Sequence, residues 1–171
     1  LLSKKPNLRI LIVGGDSVSY GRKPIGCKSW KEKFIAEVKP KIPSELWNRI
    51  HFLGKIPYEI YLQLLQISTV HVYLTYPFVL SWSFLEAMSA GCSIVASNTQ
   101  PVSEVIKHDE NGLLVDFFDI DGFVNNIILL LDKKKKRDLL SKNARKFVID
   151  NYDLKQICIP KQIEWINNSI K

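Results

Sequence analysis

Ser83-Phe84-Leu85-Glu86-Ala87-Met88-Ser89-Ala90-Gly91-Cys92-Ser93-Ile94-Val95-Ala96-Ser97 joins two patterns back to back. Ser83 to Ala90 has helical composition, and Gly91 stands where a left-handed C-cap favours glycine. The apolar run that follows predicts a strand over Ser93 to Ala96. Another apolar run, Val70 to Leu74, precedes the helix. Strand, loop, helix and strand at this spacing form one unit of a parallel α/β sheet.

Working outward, short Val- and Ile-rich runs recur at intervals too long for hairpins. They predict further strands at Leu8 to Val13, Ile50 to Leu53 and Leu113 to Val115. All are short and largely apolar, the pattern of strands covered on both faces by helices. Predicted helices fill the gaps: Trp30 to Val38 after Ser29 as N-cap, Pro57 to Gln66 with proline in its first turn, Asp121 to Leu131, Lys134 to Val148, and Leu154 to Ser169 with a kink at Pro160. The fold class is a doubly wound, Rossmann-like parallel sheet. Gly14 to Lys28, with three further glycines and a proline, reads as a long functional loop.

The 171 residues, 46% of them apolar, suffice for one domain. A formal charge of +7 favours an anionic partner: nucleic acid, acidic lipid or a phosphorylated small molecule. The densest basic stretch, Lys133 to Arg137 followed by Lys142, Arg145 and Lys146, fits a solvated helix face, with an anionic membrane surface as the functional alternative. Cys27, Cys92 and Cys158 lie far apart, in odd number and without metal-ligand spacing, which fits a reducing cytoplasm. No apolar run has the length of a spanning helix. Beginning at Leu1-Leu2 and entering a strand within a few residues, the chain is expected to continue upstream.

In an open parallel sheet, ligands sit outside the carboxyl ends of the strands, where helix N-termini present N–H groups. The loop Thr75 to Ser83 is apolar and aromatic and leads into a helix bearing Glu86. Amides near Ser81, Trp82 and Ser83 suit a phosphate, and a carboxylate one turn on suits a pair of sugar hydroxyls. Ser83-x-x-Glu86 is also the spacing of a reciprocal capping box, a purely structural use of the same residues.

The stretch Ser83 to Ser97, continued by Pro101-Val102-Ser103-Glu104-Val105-Ile106 and Asn111-Gly112-Leu113-Leu114-Val115, resembles the donor-site motif of retaining group 1 glycosyltransferases of the GT-B fold. His51-Phe52-Leu53-Gly54-Lys55-Ile56-Pro57 is similar to the family's loop beneath the nucleotide base. The resemblance implies that residues 1–153 are the donor-binding domain of the C-terminal half, without its first strand, and that 154–171 form a C-terminal helix. It implies that Glu86 accepts from ribose hydroxyls, and that Gly54, Lys55 and Ile56 line the base. Where the family carries a second Glu for the donor sugar this sequence has Phe78, so the backbone of Phe78, Val79 and Leu80 would meet the sugar instead.

Arg22 and Lys23 are candidates for phosphate contact, and Glu104 matches the family's loop-to-helix Glu, where first-turn helix chemistry is the alternative. The donor would be a UDP-, GDP- or ADP-sugar, a substrate rather than a cofactor. The acceptor site and catalytic group would lie in the absent N-terminal domain, leaving the fragment inactive alone. No metal is expected: His51, His71 and His108 are scattered, and Asp116, Asp119 and Asp121 read as helix caps. Val13-Gly14-Gly15-Asp16-Ser17-Val18 departs from the dinucleotide-binding glycine pattern. A basic nucleic-acid-binding module and a non-catalytic sugar-nucleotide sensor are the competing readings, although the four tryptophans do not interleave with Lys or Arg.

Overall fold

The computed structural model describes residues 1–18, 21–76 and 78–170; Ser19 and Tyr20 of the long loop, Pro77 and Lys171 lie outside the described residues. The chain divides into two compact units, Leu1–Tyr61 and Leu62–Lys171, each with its own parallel sheet.

In the first unit, β1 (Ile10–Val13) pairs in parallel with β2 (Ile50–Gly54), Ile10 opposite Ile50, with a register irregularity between Ile12 and Val13. The crossover runs through loop 14–28, α1 (Trp30–Val38), a 3-10 turn (Lys39–Lys41) and α2 (Ser44–Trp47). Ser29 caps α1 as expected, its Oγ accepting from Glu32 N at 3.1 Å, while the Glu32 carboxylate accepts from Lys28 N at 2.6 Å. The Arg49 guanidinium donates to the carbonyls of Leu2, Lys5 and Pro6 and so anchors the N-terminal segment beside the start of β2.

The second unit has β3 (His71–Tyr73), β4 (Ile94–Ser97) and β5 (Leu113–Val115) in the order β3-β4-β5, all parallel. Every residue of β4 is buried, because both its edges are paired and helices cover it. Phe84 and Met88 from α4 (Trp82–Ser89), Val102 from α5 (Gln100–Ser103), Leu130 from α6 (Ile120–Asp132) and Leu140 from α7 (Lys134–Tyr152) form its fully buried core. Gly91 takes the predicted left-handed conformation at φ 82°. Side chains of α7 satisfy carbonyls at the end of α4: Ser141 Oγ donates to Gly91 O at 2.5 Å, and Arg145 donates to Ser89 O.

α3 (Tyr58–Ile67) spans the division between the units, and the chain ends with a π-type turn (Leu154–Cys158) and α8 (Ile159–Ser169).

Several expectations need correction. Cover on both faces holds for β4 but not for β1, where Leu11, Ile12 and Val13 are 46%, 43% and 39% exposed, nor for β3, where Val72 is exposed. Among the described residues β1 pairs with β2, and no residue of α1 is buried. α3 begins at Tyr58, so Pro57 precedes the helix and accepts from Tyr61 N through its carbonyl. The last helix is interrupted before Pro160, not at it: Asp153 O accepts from both Ile157 N and Cys158 N, widening the turn, and Pro160 falls in the first turn of α8.

Candidate functional site

The loop between β3 and α4 lies at the carboxyl end of β3, beside fully buried β4. Its first residue after Leu74 is tied down by a side chain: Thr75 N donates to Ser97 Oγ at 3.1 Å, and Ser97 Oγ donates to Thr75 O at 3.0 Å. At its far end, Ser81 N donates to Tyr73 Oη at 3.2 Å, and the Tyr73 ring packs on Phe84 with centroids 4.5 Å apart. Between these points Phe78 and Val79 are exposed and Leu80 is half-buried.

Ser81 is the N-cap of α4; its Oγ accepts from Ser83 N at 3.3 Å and lies 2.8 Å from Ser83 Oγ. The capping-box reading of Ser83-x-x-Glu86 therefore fails, since Ser83 is already inside the helix. Of the three amides expected to meet phosphate, those of Ser81 and Ser83 have partners within the protein, while Trp82 projects from the first turn of α4 with its side chain 86% exposed. Glu86 sits half-buried one turn further along, on the helix whose Phe84, Ala87 and Met88 are fixed in the core.

Glu104 is exposed and occupies the C-cap of α5. The first-turn explanation for its charge is thus excluded, because the dipole there favours a cation.

In the first unit, Gly14 N donates to Gly54 O at 3.0 Å, joining the carboxyl ends of β1 and β2. Gly54 has φ 67°, a conformation that favours glycine, and Gly15 leaves room for the Lys55 side chain, whose Cε would be 2.8 Å from an added Cβ. The expected base-lining residues Gly54, Lys55 and Ile56 leave β2 at this point. A cavity of about 450 Å³ lies here, lined by apolar residues such as Ile12, Phe34, Trp47 and Phe52 together with Gly14 and Gly54. Lys31 pairs with Asp16 at 3.0 Å. Arg22 and Lys23 are exposed, and the Arg22 carbonyl accepts from Trp30 Nε1 at 2.9 Å.

The remaining candidates have structural partners. Asp119 caps α6 by accepting from Gly122 N at 2.8 Å, and Asp116 accepts from Phe118 N at 2.9 Å. His108 Nδ1 accepts from Leu114 N at 3.0 Å. Burial lowers the pKa of His71 and pushes the Cys92 thiol up to about 11, leaving that thiol protonated at neutral pH. Among the described residues no cluster of His, Cys, Asp or Glu could hold a metal, and no helix is long and apolar enough to cross a membrane. Much of the basic cluster is engaged internally: Lys134 pairs with Asp138, Lys136 with Asp109 and Lys146 with Asp150, while Arg137 and Arg145 donate to carbonyls.

Tyr73 and Ser97 were not distinguished as site residues by sequence alone. The available signal was a hydroxyl closing each of two apolar strand runs that point at the same loop.

Comparison with known proteins adds to this geometry. An uncharacterised glycosyltransferase of Methanocaldococcus jannaschii is 30% identical over 123 residues, covering 71% of this chain and 31% of that protein. The structure of sucrose-phosphate synthase from Thermosynechococcus elongatus superimposes with a TM-score of 0.79 at 22% identity, covering 99% of this chain and 40% of the synthase. Anabaena HepE in complex with UDP superimposes with a TM-score of 0.76 at 22% identity, covering 96% and 42%; HepE is also known in complex with UDP-glucose. The chain therefore spans well under half the length of these proteins, and its fold is the Rossmann-like C-terminal half of GT-B glycosyltransferases. The sequence profile described as glycosyl transferases group 1 matches residues 1–147, and the chain belongs to that family.

Proposed function

We propose that this chain binds the nucleoside-diphosphate sugar of a glycosyl transfer that retains anomeric configuration. The observation that carries the reading is the placement of Glu86: a half-buried carboxylate on a helix anchored in the core, one turn beyond an N-terminus set at the carboxyl end of a parallel strand. An ionised carboxylate with two acceptor oxygens suits the vicinal hydroxyls of a ribose. The start of α4 at Ser81, Trp82 and Ser83 suits the diphosphate, because a helix N-terminus presents N–H groups and a positive dipole end to an anion. The backbone of Phe78 to Leu80 takes the donor sugar, and Gly54, Lys55 and Ile56 take the base. Arg22 and Lys23 are further candidates for phosphate contact, and Glu104 for the family's loop-to-helix Glu. HepE, which shares the fold, forms complexes with UDP and UDP-glucose, and this favours a uridine donor over GDP- or ADP-sugars.

Transfer itself would need an acceptor domain and a catalytic group from the further length that the relatives possess, without a metal. The same reading puts the protein in the cytoplasm, with peripheral contact to an anionic membrane through lysines such as Lys133, Lys135 and Lys142; co-sedimentation with anionic vesicles that vanishes when these three are replaced would support that contact.

NMR titration with UDP, GDP, ADP, NADH and random RNA tests the donor reading. Shifts confined to α4, the β3–α4 loop and Gly54 to Ile56 with one nucleoside diphosphate are expected. Shifts with RNA or NADH alone would contradict it. Binding without transfer in a chain of the relatives' length would favour a sensor.

A further inference from the structure

The β3–α4 loop contains no acidic side chain between Leu74 and Ser83, so no carboxylate of this loop can hold a sugar, and its backbone groups join the hydroxyls of Thr75, Tyr76 and Ser81 as the available partners. Backbone recognition works only if the backbone is already in place, because ordering a loop at the moment of binding costs conformational entropy. The loop exposes Phe78 and Val79 and rests Tyr76 edge-on against Phe117, but burial of its own side chains does not fix its two ends.

Two hydroxyls do. Ser97 is fully buried, and its single Oγ both accepts from Thr75 N and donates to Thr75 O, at 3.1 and 3.0 Å. The β3–β4 pairing ends with Tyr73 opposite Ala96, so the Ser97 side chain takes over just past the last paired residues and holds the first loop residue. At the other end, Tyr73 Oη accepts from Ser81 N at 3.2 Å, and Ser81 is the residue that caps α4. Tyr73 is itself held by its ring contact with fully buried Phe84. Both ends of the loop thus hang from side chains of the β3–β4 pair.

We infer that Tyr73 and Ser97 are positioning residues that pre-form the β3–α4 loop for backbone recognition of the donor sugar. The inference rests on the donor-binding reading above. It also explains the loop's composition: with its ends fixed by hydroxyls, the loop can present amides and carbonyls in a set geometry without a carboxylate.

The test uses Tyr73→Phe, which keeps the ring on Phe84 and removes only the phenolic acceptor, and Ser97→Ala, each in the 171-residue chain. Amide hydrogen exchange comes first and needs no ligand. Ser81 N in Tyr73→Phe and Thr75 N in Ser97→Ala are expected to exchange faster by about three- to tenfold, the loss of one hydrogen bond, with β4 amides and the melting temperature of Tyr73→Phe unchanged. Unchanged exchange at both amides overturns the clamp.

Calorimetry with UDP and UDP-glucose follows. Affinity for UDP-glucose is expected to fall about three- to tenfold in Tyr73→Phe while affinity for UDP changes less. Equal losses for the two ligands, or no loss despite faster exchange, overturn the positioning role. Failure of the wild-type chain to bind any nucleoside diphosphate would instead contradict the donor reading, and the exchange result alone would then decide whether the clamp exists.

Discussion

β1 is wholly aliphatic and β4 ends in a serine, yet every residue of Ile94–Ser97 is buried, whereas Leu11, Ile12 and Val13 are roughly two-fifths exposed. The difference is one of neighbours. β4 has a paired strand on each edge and α6 against it; β1 pairs with β2 and has beside it a cavity of about 450 Å³. Apolar composition states what a strand would bury, and the surrounding elements decide how much of it is buried. Glu86 belongs to the well-packed unit and Gly54 to Ile56 to the looser one.

Stability should follow the contrast. Ile94→Ala removes methyl groups from a closed core and is expected to destabilise the second unit by about 2–5 kcal/mol, against less than about 1.5 kcal/mol for Ile12→Ala, whose side chain is already partly in water. Denaturant unfolding of both variants checks this; equal losses would mean that β1 is as well packed as β4. In the looser unit, a helix cap should weigh about as much as an apolar strand residue. Ser29→Ala is expected to cost about 1 kcal/mol, read from faster amide exchange in α1. A loss indistinguishable from zero would break the comparison from that side.

Acid gives a third handle, confined to the second unit. His71 has its folded pKa lowered by burial below the ordinary 6.5, so between those two values the unfolded chain binds more protons than the folded one. Stability is therefore full above about pH 6.5 and declines as pH falls below it, and His71→Gln should flatten that slope. A slope that persists unchanged in His71→Gln assigns it to other groups. The smallest effect is expected at the surface, where Lys146→Ala removes an exposed pair with Asp150 and should shift stability by less than about 0.5 kcal/mol.

Much of the fold was legible in the amino-acid order. Trp30–Val38 begins and ends where Ser29 and the apolar spacing place it, Leu113–Val115 is the predicted strand, and Gly91 has the left-handed conformation its position implied. Local signals succeeded there because local groups satisfy them.

The same kind of signal misled at Ser83-x-x-Glu86. The Ser-x-x-Glu spacing operates at Ser29 and Glu32, where Ser29 receives the Glu32 amide and Glu32 the Lys28 amide, but α4 is capped two residues earlier by Ser81. Tyr73 helps hold that earlier start, and no sequence spacing announces a phenol reaching an amide eight residues on. The role of Ser97 was equally hidden, because its two bonds reach Thr75, on the neighbouring strand's loop.

The most direct measurement is calorimetric titration of UDP into the wild-type chain, Glu86→Gln and Glu86→Ala, with folding checked by amide exchange in β4. The account predicts binding by the wild-type chain, a loss of about tenfold or more in Glu86→Ala, and a smaller loss in Glu86→Gln, which keeps one carbonyl acceptor and gives up the charge. Equal affinity in all three proteins would contradict ribose recognition by Glu86 and, with it, the central claim.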